Sequence, residues 1–212
     1  MRPPLATPDL TKRADPPYPR RDGPTEEDLM SSYAAGDERA FTRLFSTVAP
    51  AVYRFFLRSF RDRSLCDELL QTTFFRVHRG RATYRSGLPL RPWLFTIAAH
   101  VRRDELRRRF RLREDAGEEA LAAAEAAHAH DESRDADRAI ATGDVAARIR
   151  SALDRLPESQ RVVIQLHRFE NMTFAQIAGV LGTSEVAVRG RAFRAFAQLR
   201  KALAHVQDGD RR

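Results

Sequence analysis

Apolar residues along this chain recur at steps of three and four, and no segment alternates as a set of strands would. Thr25 with Asp28 resembles a capping box, although the acid is Asp, and Leu29, Met30 and Tyr33 follow it. Gly36-Asp37 is a break. Phe41, Leu44, Phe45, Val48, Val52, Phe55 and Phe56 then predict one long helix, bent near Pro50. After a break at 62–64, Cys66, Leu70, Thr73, Phe74 and Val77 form the stripe of a helix reaching about His78. Gly80–Pro92 reads as a basic loop. Trp93–Arg109 resumes as a helix with Leu94, Ile97, Ala98, Val101 and Leu106 toward a core, and Pro92 suits its first turn. Periodicity stops after Arg113 and returns at Val145, with Ile149, Ala152, Leu153 and Leu156 as a stripe. Pro157 starts another helix carrying Val162, Val163, Leu166 and Phe169, and Glu170-Asn171 makes a turn.

The last stretch, Thr173–Leu203, predicts two helices around a tight turn. Phe174, Ile177, Ala178 and Leu181 stripe the first, and Gly182 ends it. Thr183 or Ser184 caps the second, with Glu185 in its first turn. There Val188, Ala192, Ala195, Phe196, Leu199 and Leu203 share one side. Ala187, Gly190, Arg191, Arg194 and Lys201 lie opposite, with Arg189 on the flank. Small residues allow close approach and long cations reach past them, the layout of a recognition helix in a major groove. The competing reading is a solvated arginine-rich helix in an ordinary bundle.

The expected fold is all-α: two small helical domains joined by a flexible acidic linker. Residues 1–24 are a proline- and charge-rich disordered extension, 25–112 the first domain, 113–144 the linker, 145–206 the second domain and 207–212 a tail. The linker is alanine-rich and acidic, with Glu118, Glu119, Glu125 and Asp131. His128 and His130 within it read as solvated. Charge changes the picture next. A formal net charge of +8 over 212 residues points to a polyanionic partner, and all but Lys12 and Lys201 of the 37 basic residues are arginine. Cys66 is alone, so no internal disulfide forms, and no Cys/His spacing suits zinc. No apolar run reaches the ~20 residues of a membrane helix. The expectation is a soluble cytoplasmic protein. No nucleophile–base pair, paired carboxylates or glycine-rich phosphate loop is present, so no enzymatic activity, metal or cofactor is expected.

Two further surfaces carry candidate chemistry. On the helix of Cys66, the outward side holds Glu68, Thr72, Phe75 and Arg79, with Gln71 at its edge. An acid beside an outward phenylalanine suggests protein docking, or a ring tucked under a loop. On the following helix Trp93, Phe95 and His100 interleave with Arg91, Arg102, Arg103 and Arg107. Aromatic faces and cations together suit single-stranded bases and their backbone, although Trp93 could equally anchor a core.

These runs together resemble a family. The chain is similar to bacterial group IV, extracytoplasmic-function RNA polymerase sigma factors over both helical domains. Gly36-Asp37 with Ala40-Phe41, Asp67-Glu68-Leu69-Leu70-Gln71 with Phe74, and Arg91-Pro92-Trp93-Leu94-Phe95 with Ile97-Ala98 look like sigma region two. Leu153-Asp154-Arg155-Leu156-Pro157, Gln160-Arg161, Ile177-Ala178, Leu181-Gly182 and Val188-Arg189-Gly190-Arg191 look like region four. The resemblance implies that Glu68, Gln71, Thr72 and Phe75 dock on the clamp helices of the polymerase beta-prime subunit, and that the second domain meets the beta flap. It implies that Tyr84, Arg91, Trp93, Phe95, Ile97, His100, Arg102 and Arg103 serve the minus-ten element and a flipped base. Ser184, Glu185, Arg189, Gly190, Arg191 and Arg194 would serve the minus-thirty-five element of promoter DNA. An anti-sigma factor, often membrane-bound in the family, is a further implied partner.

Some positions depart from the family pattern. Thr72 stands where an acid is usual, Gln176 where Glu is frequent, Val186-Ala187 where Gly-Thr is usual, Gly190 in place of Ser and His100 in place of Asn. They bear on which promoter is read. Phe193 projects beside the DNA face, as a contact to DNA or polymerase. The rival readings are a two-domain helix-turn-helix regulator that binds promoters without polymerase, and a structural RNA-binding protein. The basic aromatic loop Tyr84–Trp93 and the lack of a dimerisation stripe argue against the former.

Overall fold

A computed structural model describes residues 23–112 and 143–209, with side chains placed from 23 to 112 and 149 to 202. The N-terminal extension and nearly all of the expected linker, His128 and His130 included, lie outside these residues. Among the described residues every regular element is a helix. The first domain comprises α1 (Glu26–Ala34), α2 (Glu38–Phe60), α3 (Arg63–Gly80), a single 3-10 turn (Arg81–Thr83) and α4 (residues 90–112). The second comprises α5 (Gly143–Asp154), α6 (Glu158–Phe169), α7 (Phe174–Leu181) and α8 (Glu185–Gly209).

Local chemistry fixes the helix starts. The Thr25 hydroxyl accepts the Asp28 N–H at 3.1 Å while the Asp28 carboxylate accepts the Thr25 N–H at 3.0 Å, so the box closes with Asp as its acid. Asp37 accepts from Arg39 and Ala40, and Asp62 from Leu65, starting α2 and α3. Glu27 reaches from α1 to accept the Leu90 N–H at 3.0 Å, which ties the start of α4 to the other end of the domain. That start lies three residues before the predicted Trp93, inside the predicted loop. Thr173 and Gln176 form a second reciprocal box on α7. Gln176, where the resemblance led us to expect Glu, closes the capping box through its side-chain amide oxygen. Gly182 adopts φ 63°, the left-handed conformation that ends α7 and opens the turn. Ser184 accepts the Ala187 N–H at 3.2 Å and caps α8.

Alpha2 runs unbroken through Pro50 as the central rod of the first domain. It packs on α1 and α3, and buries Leu44, Val48, Val52, Phe55, Phe56 and Phe60. Alpha8 plays that part in the second domain against α5, α6 and α7, burying Val188, Ala192 and Ala195. Buried apolar residues of both domains run together in one cluster. The predicted stripes needed two corrections. On α3 Leu69 is buried and Leu70 only partly so, and Ile149 on α5 is exposed. The Arg155 and Leu156 N–H groups bond back to the Ser151 and Leu153 carbonyls, so α5 closes before Pro157.

Candidate promoter and polymerase surfaces

The α3 surface is open. Glu68, Gln71, Thr72 and Phe75 are all exposed, and 60% of the Phe75 surface meets solvent. Among the described residues no loop covers the ring; the Arg79 guanidinium, 5.9 Å from its centroid, is its cationic neighbour. The opposite side of α3 explains this. Cys66, Thr73, Phe74 and Val77 take the core positions, with the Thr73 hydroxyl satisfied by the Leu69 carbonyl at 2.8 Å. Burial pushes the Cys66 thiol up to about 12, so it is chemically quiet.

The α4 surface departs from the sequence reading. Phe95 is 1% exposed and meets Phe55 edge-on with centroids 5.5 Å apart. It is a core side chain of α2–α4 packing, not a stacking face for a base. Helical position decides this, because Phe95 falls on the same side as Leu94, Ala98 and Val101. Tyr84 is likewise buried, donates its hydroxyl to the Leu88 carbonyl at 2.6 Å and stands edge-on to Trp93 at 5.4 Å. It braces the loop, and burial raises its pKa. Trp93 and Ile97 are half-buried against the core, and His100 is exposed.

The arginines of this surface grip the second domain. Arg91 binds Glu26 through Nε and Nη2 at 3.0 and 2.9 Å, and reaches Glu170 through Nη1 at 2.9 Å. The hydrogen bond to Glu26 leads the upward shift of the Arg91 pKa. Arg102 is buried, donates to the Ser59 hydroxyl at 2.8 Å and pairs with Glu158. Burial, then the neighbouring Arg161 and Arg103, pushes its guanidinium down to about 10, still charged at neutral pH. Arg103 donates to the Leu181 carbonyl at 3.3 Å, at the negatively polarised end of α7. From α2, Arg58 lies 3.8 Å over the Phe169 ring, and Arg61 just beyond it pairs with Asp154. Glu170 is the centre of this contact. It is buried, and burial raises its pKa more than Arg91, Arg58 and Arg54 lower it. Sequence reasoning took Glu170 for a turn residue and did not single out Glu158, Arg58 or Arg61. An acid closing an apolar run just before a positive-φ asparagine, Asn171 at φ 54°, is the faint signal that was there.

Among the described residues nothing covers the outer face of α8. Arg189 and Arg194 are exposed, Gly190 and Arg191 half-exposed. Arg189 binds Glu185 at 2.6 and 2.9 Å and its guanidinium lies 5.7 Å from the Phe174 ring, so it leans back toward α7. Val186 and Phe193 are 80% and 77% exposed on this face. Ser184 serves first as the helix cap.

A capped two-helix turn presenting a cationic helix, joined to a helical domain with an acidic-aromatic face, defines a two-part helical DNA reader that docks on a protein. Comparison narrows the class. Residues 44–112 match Sigma-70 region 2, and residues 146–199 match Sigma-70, region 4. The chain is 33% identical to the RNA polymerase sigma factor CarQ of Myxococcus xanthus over 84% of its own length and 97% of that protein. It is 28% identical to the ECF RNA polymerase sigma factor SigM of Mycobacterium tuberculosis, covering 87% and 88%. Among solved structures it is similar to CnrH, solved in complex with the cytosolic domain of CnrY. The TM-score is 0.58 at 26% identity, covering 85% of this chain and 97% of that one. The chain belongs to the sigma-70 family of RNA polymerase sigma factors, in its extracytoplasmic-function branch. It is a non-catalytic subunit that directs promoter-specific initiation of transcription by RNA polymerase. Among the described residues no helix is long and apolar enough to cross a membrane.

Proposed function

We propose that the two domains divide one promoter between them, and that the chain must open to do so. The observation carrying this reading is that the arginines of α4 hold α6 and α7 while the outer face of α8 stays uncovered. Core polymerase docks first, on Glu68, Gln71, Thr72 and Phe75, through the clamp helices of its beta-prime subunit. An aromatic ring with an adjacent acid suits a partner helix that offers an apolar pocket and a cation. The second domain moves to the beta flap and releases Arg91, Arg102 and Arg103. With Trp93, Ile97 and His100 they then meet the melted minus-ten element. Capturing a flipped base offsets an unstacking cost of a few kcal/mol, on the order of what one pocket supplies. Ser184, Glu185, Arg189, Gly190, Arg191 and Arg194 face the minus-thirty-five element, where a bidentate arginine–guanine pair discriminates by roughly 1–3 kcal/mol.

Two weak sites on one scaffold gain from effective concentration, so the free chain binds promoters weakly and the holoenzyme strongly. The chain acts in the cytoplasm, where polymerase and promoter meet. An anti-sigma factor, membrane-bound as is frequent in the family, keeps the chain inactive by holding both domains; CnrH with the cytosolic domain of CnrY is a related assembly. In vitro transcription with core polymerase and a genomic DNA library tests the reading. The expected products start downstream of a shared two-part motif, and their absence, or equal promoter affinity of free chain and holoenzyme, contradicts it.

A further inference from the structure

Arg189, Arg191 and Arg194 on the outer side of α8 have been given a target, but two large apolar side chains share that side. Val186 and Phe193 lie seven residues apart, two turns along one side of the helix, and both are almost fully open to solvent. The residues that pack α8 into its domain, Val188, Ala192 and Ala195, are on the other side. Between the two apolar side chains stands Gly190. A Cβ added there would meet the Arg194 guanidinium at 3.6 and 3.9 Å, so Arg194 lies over the glycine. Arg189 is drawn back to Glu185 and Phe174, away from this line. The face is therefore an apolar pair with one cation at its centre and others at its edges.

We infer that Val186 and Phe193 read thymine methyl groups in the major groove of the upstream promoter element. The inference rests on the proposed role of α8 at that element and adds which chemical group it reads. Valine and phenylalanine carry no donor or acceptor, so they are blind to the hydrogen-bonding pattern of base edges. The thymine C5-methyl is the apolar group that base pairs display in the major groove. The surrounding arginines argue for DNA over a protein occupant, because Arg191 and Arg194 provide charge for phosphates beside the apolar pair. Seven residues of α-helix span about 10.5 Å. The recognition helix lies in the groove and not along the duplex axis, so a span of this length brings the two side chains to thymines within a few base pairs of each other. Valine at 186, 80% exposed, gives this chain a reader at one end of the pair.

The test begins with the upstream element that holoenzyme selects from a promoter library. Each thymine of that element is then rebuilt singly as uracil, which removes only the methyl group. Two positions within a few base pairs of each other are expected to lose about fourfold in open-complex formation, the factor for burying one methyl-sized group. Val186→Ala should erase the uracil effect at one position and Phe193→Ala at the other, with unchanged melting of the free chain because both side chains are exposed. A sequence-dependent element with no uracil-sensitive thymine would overturn the inference and leave the role of α8 standing. So would Phe193→Ala weakening thymine and uracil templates equally, which marks a polymerase or phosphate contact. Initiation that ignores the upstream sequence altogether would overturn the role of α8 and the inference with it.

Discussion

Alpha4 and α8 are both arginine-rich helices with aromatic residues among the cations, yet they end in opposite situations. On α4, Phe95 faces the core and Arg91, Arg102 and Arg103 are occupied by Glu170, Glu158 and the end of α7. On α8, Arg194 and Phe193 meet solvent. The difference teaches that a cationic, aromatic stretch defines a capacity and not a state. Guanidinium groups suited to phosphates are equally suited to buried carboxylates and carbonyl ends, which here belong to the same chain. On the proposed reading of α4, the second domain would occupy the place of nucleic acid on the first, with Glu170 where a phosphate would lie.

The largest test of this contrast is charge reversal at its centre. Glu170→Arg buries a cation against Arg91, Arg58 and Arg54, and an uncompensated buried charge costs about 3–5 kcal/mol. Small-angle scattering should show a more extended free chain, and its affinity for single-stranded minus-ten DNA should rise at least tenfold. An unchanged radius of gyration would count against the clasp. A smaller effect concerns α3, which the closed arrangement leaves open. Phe75→Ala should weaken binding to core polymerase by about 2 kcal/mol, roughly thirtyfold, without altering melting or scattering. A loss of melting temperature instead would make Phe75 a packing residue.

The smallest effect is on pH. Burial holds the Glu170 pKa above its usual 4.5, so the closed state binds that proton more tightly than an open one. Closure through this group is therefore strongest at low pH and weakens as pH rises through the raised pKa. Glu170→Gln should close at least as well as the native chain at pH 7, and should flatten the pH dependence above about pH 4.5. Scattering from both chains across that range measures it; a glutamine variant that opens at pH 7 would show that the ion pair outweighs its desolvation.

Much of the architecture was legible in the sequence because it is written locally. Thr25 with Asp28, Gly182 and Ser184 each act within four residues, and helical spacing identified the outward Glu68–Phe75 face. What escaped is set by distant packing. Phe95 looked like a base platform because its neighbours in sequence are cations, while its neighbour in space is Phe55. Arg91 and Glu170 are 79 positions apart, so no local pattern pairs them. Ile149 fitted a helical stripe, but no described residue covers it and it is 40% exposed.

The central claim is that the second domain covers α4 in the free chain and leaves it on polymerase. Dyes at the exposed Arg85→Cys and Arg200→Cys positions report it directly, since Cys66 is buried with its thiol pushed up to about 12 and labels poorly. Energy transfer should be high in the free chain and should fall when core polymerase is added. Equal transfer in both states, or low transfer in the free chain, would contradict the account.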